Sequence, residues 1–449
     1  MPLTLKFTLI SSLEALQYLY GYCVQLYKGE NLQVPVRTRS KVWNKQAKNI
    51  QKKSTSGMRW TVHLEGGPRR VNHAAVAVGE NIYSFGGYCT GEDYQIVRPI
   101  DIHMLNTVSL RWFLLPSYDP SELSFDNVPF QRYGHTVVAF GEMVYLWGGR
   151  NDNGACNVLY CFDTNTYKWS RPAVVGVIPA ARDGHSACII QNYMYIFGGY
   201  EEVADIFSQD VFCLNLYTMT WQYIVTKSLW IQQGTPARWR DFHSSSAIGS
   251  KMYIFGGRGD RQGQFHSRDE VYCNKLVYLD TSTMAWVHPE TRGPAPIGRR
   301  SHSAFVFQNH LYIFGGYNGL TDRHFGDLYR YNPETNRWSV VEVKGRSPCA
   351  RRRQCCCVVG GNIFLFGGTS PSPGGIVLPT PPDAEVGDSA LMDHSDLYVL
   401  DTFPSLKTLC MLLVIEHRLD QSCLPKVVRW EIEAMITNNS ISRPLPTMG

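Results

Sequence analysis

Six times along this chain a Gly-Gly pair ends a short apolar run, and that recurrence limits the fold more than any other feature. The pairs begin at Gly86, Gly148, Gly198, Gly256, Gly315 and Gly367, at intervals of 62, 50, 58, 59 and 52 residues. Two anchors hold fixed places before each pair. An Arg stands 16 residues upstream, at Arg70, Arg132, Arg182, Arg240, Arg299 and Arg351. A His stands 13 upstream, at His73, His135, His185, His243 and His302, with Gln354 in the sixth copy. Downstream, a Trp follows an Asn or Asp by six positions in five copies: Asn106/Trp112, Asp163/Trp169, Asn215/Trp221, Asp280/Trp286 and Asn332/Trp338. A unit of this size cannot bury its apolar faces alone, so the copies must stack on one another.

Each copy reads as a four-stranded antiparallel meander, with strands a to d. Strand a follows the Arg-x-x-His, strand b ends at Gly-Gly, strand c is a short Val/Leu/Tyr run, and strand d carries the Trp. A period near 50 residues with Gly-Gly matches kelch repeats. The sixth copy lacks its Trp strand. Arg59-Trp60-Thr61-Val62 precedes the first copy just as the other d strands precede theirs. The N-terminal segment therefore completes the last blade and leaves no open edge. The predicted fold class is all-β: a six-bladed kelch β-propeller over residues 58–402, closed by an N-terminal strand, with a short helical box after it.

Composition agrees. Among 449 residues there are 39 Gly, 44% are hydrophobic and only 18% charged, a profile for a turn-rich β protein with a large core. The formal charge of +5 does not by itself imply nucleic-acid binding. The 13 Cys show no C-x-x-C spacing and lie partly in apolar runs such as Cys355-Cys356-Cys357. They read as reduced thiols, which points to the cytoplasm and nucleus. No stretch approaches 18 uninterrupted apolar residues, so no membrane span is expected. Leu3 to Tyr27 is apolar but broken by Lys6 and Glu14, and lacks the layout of a signal peptide.

Residues 1–57 form a leader outside the repeat, basic from Lys28 to Lys53, expected to be disordered. Met58 is an alternative start. Residues 370–394 make a Pro/Gly-rich connection between strands b and c of the last blade.

In such a meander the b–c and d–a connections emerge on one face and line the mouth of the central channel. After the Gly-Gly pairs come Arg150-Asn151, Tyr200, Arg258 with Arg261 nearby, and Tyr317. The Arg-x-x-His segments add Tyr133, Asp183, Asp241 and Arg300-Ser301, with Trp239 just before Arg240 and with Arg299 beside Arg300. Clustered guanidinium groups suit a carboxylate, bidentately. Tyr and Trp supply rigid walls for a short peptide, and Asp183 and Asp241 suit a basic side chain. The repeated Arg and His are architectural by their recurrence. The histidines are spread around the ring and are not metal ligands; no catalytic residue and no cofactor are expected.

The tail follows, with a helical segment over 403–436 and a flexible end over 437–449. Ser405 is a plausible N-cap, and Leu406, Cys410 and Val414 share one helical face. A second helix starts at Leu424-Pro425, with Val428 and Ile432 on one face. Ser-Leu-x-x-x-Cys-x-x-x-Val resembles the elongin-C-binding box of cullin–RING substrate receptors, and Leu424-Pro425-x-x-Val428-x-x-x-Ile432 resembles the cullin-2 box. A six-bladed kelch propeller followed by this pair resembles the kelch receptors for C-terminal degrons, over residues 58–449. The resemblance implies a cullin-2 ubiquitin-ligase receptor, with elongin B/C, cullin-2 and its RING subunit as partners and client proteins ending in Gly. It places the carboxylate-binding arginine at Arg258, with Arg261 as the second, and finds Arg300 where the family has a serine. It is also similar to a recombination-activating kelch protein, which implies a chromatin-binding, meiotic alternative. A copper-oxidase reading fails on the dispersal of the histidines. The chain itself ends in Gly449, so its tail is expected to mimic a client and occupy its own mouth or that of a neighbouring copy.

Overall fold

The computed structural model describes residues 57–90, 97–116, 127–226, 238–267, 269–372 and 391–441. The basic leader, the centre of the 370–394 connection and the last eight residues, on which self-occupancy of the mouth depends, lie outside them.

Six antiparallel sheets of the predicted a-b-c-d order surround one axis. In the third blade, for example, Ser186–Ile190, Tyr193–Phe197, Val211–Asn215 and Thr220–Tyr223 pair in sequence. The last blade takes strands a to c from Cys355–Val359, Asn362–Phe366 and Leu397–Asp401. Its fourth strand is Arg59–Leu64, antiparallel to Leu397–Asp401. The ring is thus closed by chain segments more than 330 residues apart. The 370–394 connection is less irregular than its composition suggests, since Thr369–Pro371 and Leu391–Asp393 pair as a short ribbon.

The core sits between blades. Ile82, Leu105 and Trp112 of the first blade pack with Leu64, Phe364, Phe366 and Leu397 of the sixth. The same arrangement recurs at the other five junctions. A single blade would leave its faces wet, and for that reason the repeats come as a closed set.

The repeated residues staple neighbouring blades. Nε2 of His135 lies 3.1 Å from the Phe85 carbonyl, and Nε2 of His185, His243 and His302 lies 2.7–2.8 Å from Thr136, Ser186 and Ser244 hydroxyls. Gln354, in the sixth copy, donates to the Phe314 carbonyl at 3.2 Å. Each reaches the blade before its own. Burial, with the adjacent repeat arginine, lowers His73, His135 and His302 to about 3, so these rings stay neutral. The first Gly of each pair exists because the next blade's His, or Gln354 in the case of Gly315, lies against it. A Cβ at Gly256 would come within 2.5 Å of both the Arg299 carbonyl and His302, at φ +69°.

After the propeller come α1 (Leu406–Glu416) and α2 (Lys426–Ile436). Ser405 Oγ accepts from the Thr408 amide at 3.0 Å, capping α1 as its sequence suggests. Met411 and Val414 pack on Val428 and Ile432, and Met435 reaches the core between the sixth and first blades. In the third, fifth and sixth blades the connection entering the blade runs along its d strand: Val175–Gly176 pairs in parallel with Thr220–Trp221, the Trp338 amide donates to the Arg292 carbonyl, and the Trp60 amide donates to the Lys344 carbonyl. In the first blade the tail enters that place. The Asn439 amide donates to the Glu65 carbonyl at 2.7 Å, and Asn439 Oδ1 accepts from the Trp112 amide at 3.1 Å. Asn438 Oδ1 accepts from the Glu65 amide at 3.0 Å. The helical pair is thereby clasped to the junction where the ring closes.

Candidate functional site

The mouth is built by a rule visible in every copy. The second residue of Arg-x-x-His (or Arg-x-x-Gln) pairs across strands with the residue after Gly-Gly: Val71 with Tyr88, Tyr133 with Arg150, Asp183 with Tyr200, Asp241 with Arg258, Arg300 with Tyr317, and Arg352 with Thr369. The third residue turns left-handed in all six, with φ between +48° and +66° at Asn72, Gly134, Gly184, Phe242, Ser301 and Arg353. Their peptides form a closed circle. Each N–H donates to the carbonyl of the equivalent residue in the blade before, at 2.7–3.3 Å, with Asn72 donating to Arg353 to complete it. A cavity of about 140 Å³ lies at this throat, lined by these residues and by the repeat histidines and Gln354. Sequence reasoning missed the circle. The available signal was Gly134 and Gly184, because only Gly enters this backbone region without cost.

The first residue of the motif does not face the mouth. Arg299 is fully buried and gives its guanidinium to the Gly315 carbonyl at 2.9 Å and to Asp327. Arg240 is buried too, donating to the carbonyls of Gly256 and Arg238 at 2.9 and 2.8 Å. Both were expected to bind a ligand carboxylate, and both are corrected to framework. Their side chains point back along strand b, where backbone carbonyls near Gly-Gly need a buried donor. Trp239 is half-buried, with its indole N–H 3.4 Å from the Asp260 carbonyl.

The rim divides into two electrostatic halves. Blades three and four carry acids. Asp241 is buried and holds Arg258 through two hydrogen bonds of 2.6 and 3.2 Å, and Glu270 reaches the same guanidinium at 3.4 Å. Burial works against the Arg258 charge, but Asp241 more than offsets it. Asp183 is buried beside Asp241; burial and that like charge push its carboxyl up to about 7. Arg150 is taken by Glu202 at 2.8 Å. Arg261 is 64% exposed and only loosely paired, 3.8 Å from Asp269. Tyr200 is tied to Asp205 at 2.6 Å, Asn151 accepts from the Asn153 amide, and Tyr133 meets Tyr88 edge-on.

Blades five and six carry the opposite sign. Arg300 and Arg352 flank the Tyr317 ring at 5.5 and 4.3 Å, and Arg353 lies over Tyr88. Burial and the charges of Arg352, Arg353 and Arg300 lower His324 to about 4, which marks all three guanidinium groups as one cluster. Among the described residues no carboxylate lies within ion-pair distance of Arg300 or Arg353. Ser301 adds a buried hydroxyl that has no hydrogen-bond partner among the described residues. Arg353, which the sequence reading did not select, thus joins Arg300 and Ser301 at the throat.

In the tail, Leu406 is half exposed at the start of α1 and Cys410 partly buried, whereas Val414, Val428 and Ile432 are consumed by the packing of the two helices. Leu424 and Pro425 are partly buried at the turn before α2.

Comparison with known proteins agrees with this architecture. The KLHDC2/KLHL20/DRC7 Kelch-repeats domain family matches residues 72–228 and 134–368. The chain is 58% identical over 391 residues to Kelch domain-containing protein 3 of Bos taurus and of Homo sapiens, covering 86% of this chain and 98% of each relative. It is 30% identical over 268 residues to Host cell factor 2 of Homo sapiens, covering 58% of this chain and 33% of that protein. A six-bladed ring with one Gly-Gly and one buried Arg per blade, matched over most of its length by such relatives, belongs to the kelch-repeat family.

Proposed function

We propose that this chain is a substrate-recognition subunit of a cullin-2–elongin RING ubiquitin ligase, holding client proteins by the free carboxylate of a C-terminal glycine. The observation that carries the reading is Arg353 and the Ser301 hydroxyl, which has no hydrogen-bond partner among the described residues, lining a throat of about 140 Å³ with Arg300 in the same basic cluster. Arg353 donates to the Tyr88 hydroxyl, but the Nε of Arg300, the Nε of Arg353 and Ser301 Oγ are buried with no partner among the described residues, and such donors favour an incoming anion. The small volume favours a chain end that carries no side chain. The acids of blades three and four would then face residues just before the terminus and suit basic ones. Bond formation to ubiquitin belongs to other subunits, and this chain supplies binding alone.

The seat on blades five and six departs from the placement the resemblance implies. A ligand carboxylate beside Arg258 would be a third anion next to Asp241 and Glu270. At Arg300 and Arg353 it would meet guanidinium groups and a hydroxyl, with the nearby Asp322 already engaged by the Tyr317 hydroxyl at 2.8 Å.

A fluorescent peptide ending in Arg-Gly is expected to bind the full chain as the free acid and to lose at least about tenfold in affinity as the C-terminal amide, since one charge-assisted hydrogen bond is worth about 1.5–3 kcal/mol. Equal binding of the two forms would sink the carboxylate reading.

The tail reading has its own test. Leu406 offers exposed apolar surface where the rest of its stripe is internal. Leu406→Arg is expected to abolish co-purification with elongin B/C while leaving peptide binding unchanged. Retained elongin binding would return the helices to a purely structural role.

A further inference from the structure

One cluster on the sixth blade lies away from the mouth and adds to the repeat arginine Arg351 side chains that the repeat does not require. Cys349 stands two residues before the repeat arginine, where the other blades have Pro68, Phe130, Ala180, Arg238 and Ile297. The repeat uses only the backbone there: the carbonyl accepts from the arginine Nε, at 3.4 Å from Cys349 itself. The repeat itself thus asks nothing of the side chain at this position, and Cys349 is exposed.

What surrounds it is specific. Arg351 Nη2 points at Cys349 Sγ from 3.2 Å, and His394 Nε2 lies 3.5 Å away. Ser370 Oγ is 3.7 Å from the sulfur and 2.8 Å from the same His394 nitrogen. Behind them Asp396 orients both partners: it holds Arg351 at 2.6 and 2.7 Å and lies 3.8 Å from His394 Nδ1. Tyr398 lies within reach of the same array, feeling Asp396, Arg351, Arg346 and Cys349. His394, Ser370 and Asp396 are buried, so the array is set in place before any reagent arrives.

We propose that Cys349 is a modification site, a nucleophilic sulfur held between Arg351 and His394 that takes small hydroperoxides to a sulfenic acid. The sulfur lone pair forms an S–O bond to the near peroxide oxygen, and the O–O bond breaks. The sulfur is oxidised, the peroxide is reduced, and the far oxygen leaves as hydroxide. Donors around the sulfur stabilise the thiolate that starts this step. Burial alone would push the thiol up, but the His394 hydrogen bond and the Arg351 charge outweigh it and bring Cys349 to about 7. The cysteines inside strands go the other way: burial pushes Cys188 and Cys356 up to about 12.

The full chain carries its own control. Cys423 is also exposed, and among the described residues nothing hydrogen-bonds to it. At pH 6 a thiol near 7 holds about thirtyfold more thiolate than an ordinary one near 8.5. About fivefold lower intrinsic nucleophilicity offsets part of that, leaving an advantage of about sixfold. Iodoacetamide at limiting concentration, read by peptide mass spectrometry, is expected to label Cys349 about sixfold faster than Cys423 at pH 6. The pH midpoint of labelling should lie near 7 and rise in His394→Asn. Hydrogen peroxide followed by dimedone should then give an adduct on Cys349 that is absent from Cys349→Ser. Equal rates at the two cysteines would overturn the proposal, and so would fast alkylation without any dimedone adduct.

Discussion

Replacing Arg300 and Arg353 together by alanine is expected to weaken binding of a free-acid Arg-Gly peptide by at least about a hundredfold, with little change in the unfolding midpoint. Each charge-assisted hydrogen bond contributes about 1.5–3 kcal/mol, and every 1.4 kcal/mol is tenfold in affinity. Neither arginine has a carboxylate partner among the described residues, so truncation leaves no buried acid behind. Arg258→Ala should behave in the opposite way. It strands the buried Asp241 carboxylate and removes the cation that Glu270 also faces. Breaking one side of such a pair costs about 3–5 kcal/mol of stability. The contrast separates the two placements: loss of binding in Arg258→Ala at an unchanged midpoint, with the double variant still binding, would move the carboxylate to blade four.

Gly256→Ala is expected to lose about 2–5 kcal/mol of stability, read as a lowered denaturant midpoint. The left-handed backbone, at φ +69°, costs a residue with a Cβ about 1–2 kcal/mol. The added methyl group meets the Arg299 carbonyl and the His302 ring at 2.5 Å, and overpacking of this kind costs about 1–3 kcal/mol more. Gly249→Ala is the matched control. It has φ +59° in the turn between strands a and b of the same blade, but a Cβ there meets nothing within 4 Å. It should lose only about 1 kcal/mol. Equal losses at the two positions would remove close approach between blades as the reason for the Gly-Gly pairs.

Both predictions rest on contacts made between blades rather than within one, and this marks how far the sequence could be read. Strand order, blade number and ring closure by Arg59–Leu64 were legible because they are repeated. Fixed spacings of Gly, Arg, His and Trp report local pairing and periodic burial, which belong to each copy separately. The structural role of the histidines was legible for the same reason. The direction of the repeat arginines was not: Arg299 and Arg300 are adjacent, yet one is buried against Asp327 and the other lies at the mouth. Alternation along an extended strand start decides which of two neighbours faces inward, and a one-residue error exchanges them.

The sequence by itself determined that this chain closes into a six-bladed kelch ring with two short helices after it, because those features follow from periodicity and local propensity. Tertiary structure decided the rest. It drew Arg353, Ser301 and Arg300 to one side of the throat, engaged Arg258 with Asp241, inserted Asn439 beside Trp112, and set His394 against Cys349. Each of these joins residues from different blades, or from distant parts of one blade. Their charges and donors acquire meaning only when the closed ring fixes which of them meet.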